Sequence, residues 1–155
     1  MTPHDQQMLQ WPDYVLFRHR ACHVFALALK AHFGYGLRML YDPSVSPRDG
    51  AVHVYCIFDD SQAVDVGGVR LESEILQPGW ELHTKKDIAE CDLDSFMTPG
   101  PGRGLSSDPD FVREATVRAE KLIQRHREYY SGRLLGPIPE FKDRTVSDGH
   151  TVFKR

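Results

Sequence analysis

From Ala21 to Phe33 every position is apolar except His23, Lys30 and His32. That pattern predicts a helix buried around most of its circumference. Gly34 and Gly36 follow and end it, as glycine commonly does. Just ahead, "PDYVLFRHR" (12–20) opens with a proline suited to a first helical turn and predicts a short helix. After the glycines, "LRMLYD" (37–42) has the length of a strand, and "PSVSPRDG" (43–50) is turn chemistry throughout. "AVHVYCIF" (51–58), rich in β-branched and aromatic residues, is the clearest strand. "DDSQ" turns the chain, and "AVDVGG" (63–68) returns as a second strand ending in two glycines.

The second half is patterned less sharply. "LESEIL" (71–76) predicts a helical turn and "GWELHT" (79–84) a short strand. "MTPGPGRGLSSDPD" (97–110) predicts a long loop at the rim of a cleft. An amphipathic helix is expected over 108–130, its stripe formed by Phe111, Ala115, Val117, Ala119, Leu122 and Ile123. The tail after Ser131 has no period and is expected to wrap the surface. No repeat or low-complexity tract breaks the chain, so its 155 residues predict one domain with a core of its own.

Composition narrows the partners. A net charge of −3 argues against a general nucleic-acid binder, which needs a basic face. No apolar run approaches the roughly 18 residues of a membrane span. The opening "MTPHDQQMLQ" lacks the basic-then-apolar order of a secretion signal. Three cysteines, at 22, 56 and 91, form no paired framework and suit a reducing cytosol, so a cytoplasmic location is expected.

The chemistry begins at "RACHVFALALK" (20–30), where Cys22 stands at the front of the most apolar helix. A helix N-terminus and a nearby imidazolium both lower a thiol pKa, which makes a cysteine nucleophilic. The base in turn needs an acceptor to fix its tautomer. His53 starts the clearest strand, and Asp65 lies inside the next one, where an unpaired buried carboxylate would be costly. Alternation puts His53 and Tyr55 on one face, and Val54 and Cys56 on the other. With three loop residues (59–61), Asp65 falls opposite Tyr55 and diagonal to His53, within side-chain reach. An even loop would turn it to the wrong face. The competing reading makes Cys22 a small core hydrophobe and His53 a hydrogen-bonded structural residue.

Taken in order, "ACHVFALAL", "HVYCIF" and "AVDVGG" resemble the core of the transglutaminase-like branch of the papain-like fold, which includes the arylamine N-acetyltransferases. The shared features are a Cys-led buried helix, a His-led strand and an Asp on the adjacent antiparallel strand, spanning Arg20 to Gly68. The resemblance implies an α+β, papain-like domain over residues 1–155, with the Cys-bearing helix packed on a small antiparallel sheet. It implies Cys22 as nucleophile, His53 as base and Asp65 as orienter. The expected activity is that of a thiol hydrolase or acyltransferase working through an acyl-cysteine, on a protein or peptide amide or on a thioester. Hydrolysis is preferred because the sequence shows no acyl-CoA site, and no cofactor or metal is expected. The oxyanion is expected to meet the Cys22 N–H. The alternative is a non-catalytic binding protein that keeps the fold.

Other residues carry less. His23 points about 100° from Cys22 on a helix, which leaves His83 as the reserve base. Cys22, His23, His53, Cys56, His83 and Cys91 are zinc-ligand types, but none is paired at tight zinc spacing. "GPGRG" (100–104) lacks the lysine and the strand-to-helix context of a phosphate loop. Cys56 and Cys91 are expected in the core.

Overall fold

The computed structural model describes residues 1–59, 61–75, 84–88, 93–98, 100 and 105–141. The chain opens with α1 (Pro3–Met8), α2 (Asp13–Arg18) and α3 (Cys22–Phe33). The first was not expected from the hydrophobic pattern. Its signal is "TPHD": Thr2 caps the helix, Pro3 occupies the first turn, and the Asp5 carboxylate accepts from the Thr2 amide. Gly34 ends α3 at φ +76, in the left-handed region that closes helices.

Next come β1 (Gly36–Tyr41), α4 (Pro47–Gly50), β2 (Ala51–Ile57), β3 (Gln62–Asp65), β4 (Gly68–Leu71), α5 (Glu72–Ile75) and β5 (Thr84–Ile88). The five strands form one antiparallel sheet in the order β4-β3-β2-β1-β5. Beyond it lie a parallel two-stranded pair, β6 (Met97–Thr98) and β7 (Leu105–Ser106), then α6 (Pro109–Arg125) and α7 (Arg127–Tyr130). This is a mixed α+β architecture.

Strand alternation assigns the two faces of the sheet. Leu37, Met39, Val54, Cys56 and Val64 join the α3 and α6 side chains in the main core, and the Cys56 thiol donates to the Ala26 carbonyl at 3.2 Å. Leu40, Tyr55, Ala63 and Ile75 form a smaller cluster. In the main core, Phe25 and Leu29 are fully buried, each worth about 1.5–3 kcal/mol.

Four expectations shift. The second strand ends at Asp65, and Val66 and Gly67 make a tight turn into β4, because Gly68 takes φ +100. The helix over 108–130 breaks at His126. Val117 is 48% exposed; at about 100° per residue it sits far outside the arc from Phe111 to Ile123. Of the tail, Ile138 and Phe141 are buried rather than superficial. The predicted strand at 79–84 lies outside the described residues except for Thr84, where β5 begins.

Candidate active site

Cys22 is the first residue of α3, as expected, with Ala21 in the cap position. Its sulfur accepts a hydrogen bond from the Val54 amide at 3.3 Å. β2 pairs with β3 at Cys56↔Val64 and Ile57↔Ala63. Two steps further along, β3 has already turned at Val66–Gly67, and strand amides lie in the plane of the sheet. The Cys22 thiol therefore docks edge-on against the His53–Val54 peptide, where the sheet has made room for it.

His53 is fully buried and stacks on Tyr55, ring centroids 5.7 Å apart. Its Nε2 lies 2.9 Å from Asp65 Oδ2. The loop has the odd length on which this contact depends. Phe58 N–H donates to the Gln62 carbonyl across residues 59–61, and continuing the register puts Asp65 opposite Tyr55. Asp65 receives four donors. His53 Nε2 and Arg18 Nη1 (3.3 Å) meet Oδ2; Arg70 Nη2 (2.6 Å) and the Gly67 N–H (2.8 Å) meet Oδ1. Burial pushes this carboxyl upward, but Arg70, the His53 bond and Arg18 outweigh it and hold Asp65 well below the usual carboxylate range.

The tautomer of His53 follows. An ionised carboxylate only accepts, so a neutral His53 carries its proton on Nε2 and its basic lone pair on Nδ1. Burial lowers the His53 pKa despite Asp65, with Arg18 and Arg70 adding to the lowering, so the imidazole is neutral near pH 7. Burial also pushes the Cys22 thiol up to about 12, against the Val54 and His23 amides. Cys22 as a whole is 1% exposed. In this conformation the Cys22 thiol is neutral and buried, held at the amide of the residue that follows His53.

The Cys22 amide donates to the His19 carbonyl at 3.3 Å. It is thus committed in this conformation and is not presented as the expected oxyanion donor. His23 turns away from the pair, its Nε2 2.8 Å from the Ser106 carbonyl, and burial lowers its pKa to about 4. Around it, Arg20 donates to Asp5 at 2.9 Å and to the Gly100 carbonyl, while its own carbonyl accepts from Ser106. The described parts of the 97–110 loop therefore do border the start of α3.

The sequence reasoning did not find Arg18, Arg70 or Gly67. The signals were two basic residues inside apolar segments, "LFRHR" and "GGVRL", and the glycine after Asp65. A Cβ on Gly67 would lie 3.0 Å from Arg70 Nη2 and 3.2 Å from Asp65 Oδ1, so glycine lets Arg70 fold back over the carboxylate. His83 and Cys91, the remaining base and metal candidates, lie outside the described residues. Among the described residues, no three His, Cys, Asp or Glu side chains group as a metal site, and no helix is long and apolar enough to cross a membrane. Comparison with protein-family models, curated proteins and solved structures returns no match.

Proposed function

We propose that this chain is a thiol hydrolase of papain-like, transglutaminase-like architecture, with Cys22 as nucleophile, His53 as base and Asp65 as the group that orients the base. The observation carrying this reading is the His53 Nε2–Asp65 bond at 2.9 Å, on the strand whose next amide holds the Cys22 sulfur. That bond leaves Nδ1 as the basic nitrogen, the polarity a Cys-His pair requires.

The reaction would run in two halves. As Cys22 Sγ bonds to the substrate carbonyl carbon, its proton passes to His53 Nδ1 and the carbonyl π electrons move to oxygen. Collapse expels an amine or thiol, which takes the proton from Nδ1 and leaves an acyl-cysteine. Water then attacks that carbon, giving its proton to Nδ1, and the thiol leaves with the proton returned. Substrate entry requires the chain around Cys22 to open, because the sulfur is covered. A protein or peptide amide is the preferred substrate and cytoplasm the preferred location.

The same burial favours a second reading. A neutral thiol with its pKa at about 12, sealed in the core, also suits a binding protein that keeps the architecture without the chemistry. Iodoacetamide labelling of the native chain, mapped by mass spectrometry, separates the two. An enzyme labels at Cys22 well before Cys56 and Cys91. Equally slow labelling of all three supports the binding protein.

A further inference from the structure

Asp65 Oδ2 is shared by donors from two different parts of the fold. One is His53 Nε2 on β2, at 2.9 Å; the other is Arg18 Nη1 from the last turn of α2, at 3.3 Å. Arg18 lies four residues before Cys22. Its side chain is 2% exposed, with the guanidinium 5.6 Å from the centre of the Tyr14 ring. The segment between Arg18 and Cys22 is stapled to itself. The Ala21 and His19 amides both donate to the Leu16 carbonyl, and the Cys22 amide donates to the His19 carbonyl, each at 3.3 Å. A stiff elbow thus joins a buried cation to the thiol. Arg70 holds the opposite oxygen from β4, in the same hairpin as Asp65 itself.

Building on the thiol-hydrolase reading, we propose that Arg18 is the positioning residue of this site: by anchoring the α2–α3 elbow to Asp65 it sets Cys22 against the His53 strand and keeps a positive charge beside the carboxylate that orients the base. That charge has opposite consequences for the two groups. It favours the thiolate of Cys22 and disfavours the imidazolium of His53. The first shift eases loss of the thiol proton, and the second keeps the His53 ring unprotonated at rest and free to take a proton during attack. The charged and titratable groups around the pair are Arg18 and His19 from α2 and the elbow, Tyr55 from β2, Asp65 from β3, Arg70 from β4 and His23 from α3.

The test uses the full chain and two independent readouts. The first is the titration midpoint of the His53 ring, followed by NMR; the second is kcat and KM against an activated acyl ester across pH 5 to 9. Arg18→Gln is expected to raise the His53 midpoint by about one pH unit, the usual effect of one nearby charge. The acid limb of kcat should move up with it, and kcat should fall with KM little changed. Arg18→Lys keeps the charge but loses the planar fork. It should restore the midpoint and recover kcat only in part, and it keeps the test sound if the glutamine variant does not fold. An unmoved midpoint in Arg18→Gln, or full kcat in Arg18→Lys, overturns the proposal. If the wild type shows no turnover that Cys22→Ala abolishes, the hydrolase reading has failed instead, and the NMR arm still reports what Arg18 does to His53.

Discussion

Asp65 is the residue on which the site turns. Its four donors include two arginines, which share its single negative charge. Asp65→Asn places an amide among those donors and removes the carboxylate that both arginines bind, which costs about 3–5 kcal/mol, the usual result of breaking a buried charge pair. The carboxamide would also accept or donate at His53 Nε2 and so release the tautomer, and turnover should fall by about 10⁴-fold. Denaturant melts and kcat of the variant check the two effects separately. A variant that loses stability but keeps its turnover would make Asp65 purely structural. At this scale the His53–Asp65 contact was legible because a carboxylate inside an apolar strand needs a partner, and the place of Cys22 was legible because the apolar run starts beside it. Arg18 and Arg70 were not, because a basic residue near a turn is ordinarily solvated, whereas here both reach Asp65, Arg18 from a buried position and Arg70 from a partly exposed one.

At the scale of elements, the α3 helix and the β2–β3 hairpin could be read directly. A long apolar run closed by glycine has one good solution, and an odd three-residue loop fixes which face Asp65 takes. What the pattern hid was β4. Its "GVRL" is too short to show a period, and the two glycines look like an ending when they are a turn. That turn is testable. Gly68 takes φ +100, with the Tyr129 carbonyl 3.3 Å from where a Cβ would stand. Gly68→Ala should therefore lose at least about 1–2 kcal/mol in thermal or denaturant unfolding. Gly67→Ala should act differently, pushing Arg70 off Asp65 and raising the His53 titration midpoint more than it lowers stability. If both variants change stability alone, the hairpin shapes the fold and does not tune the site.

For the molecule as a whole, the histidines that desolvation lowers make a collective prediction. His19 and His23 are lowered to about 4 by burial, and His53 is lowered in the same direction. Each is neutral in the folded state while the unfolded chain protonates near pH 6.5, so the unfolded state binds more protons below that pH. Stability is full above pH 6.5 and falls on acidification, by up to about 1.4 kcal/mol per pH unit for each histidine. Asp65 adds to the loss only below about pH 4, where the unfolded carboxyl takes a proton that the folded one refuses. Urea midpoints from pH 8 to pH 4 should fall steeply, and a flat profile would mean that these rings are solvated. The mixed α+β class followed from alternating helical and strand patterns, but the closed state of the site did not. Burial of a thiol at a helix start depends on what packs around that start, and here Ser106, from a segment with no hydrophobic period, bonds to Arg20 and His23 on either side of Cys22 in the chain.

In the proposed reaction Cys22 forms a covalent acyl intermediate with His53 as its base. The most direct measurement is intact-mass and peptide-map analysis of the chain quenched in acid during reaction with an activated acyl ester. The account predicts one acyl group, on Cys22, absent from Cys22→Ala and formed at least about 100-fold more slowly in His53→Ala. No adduct, or acylation spread evenly over Cys22, Cys56 and Cys91, would contradict it.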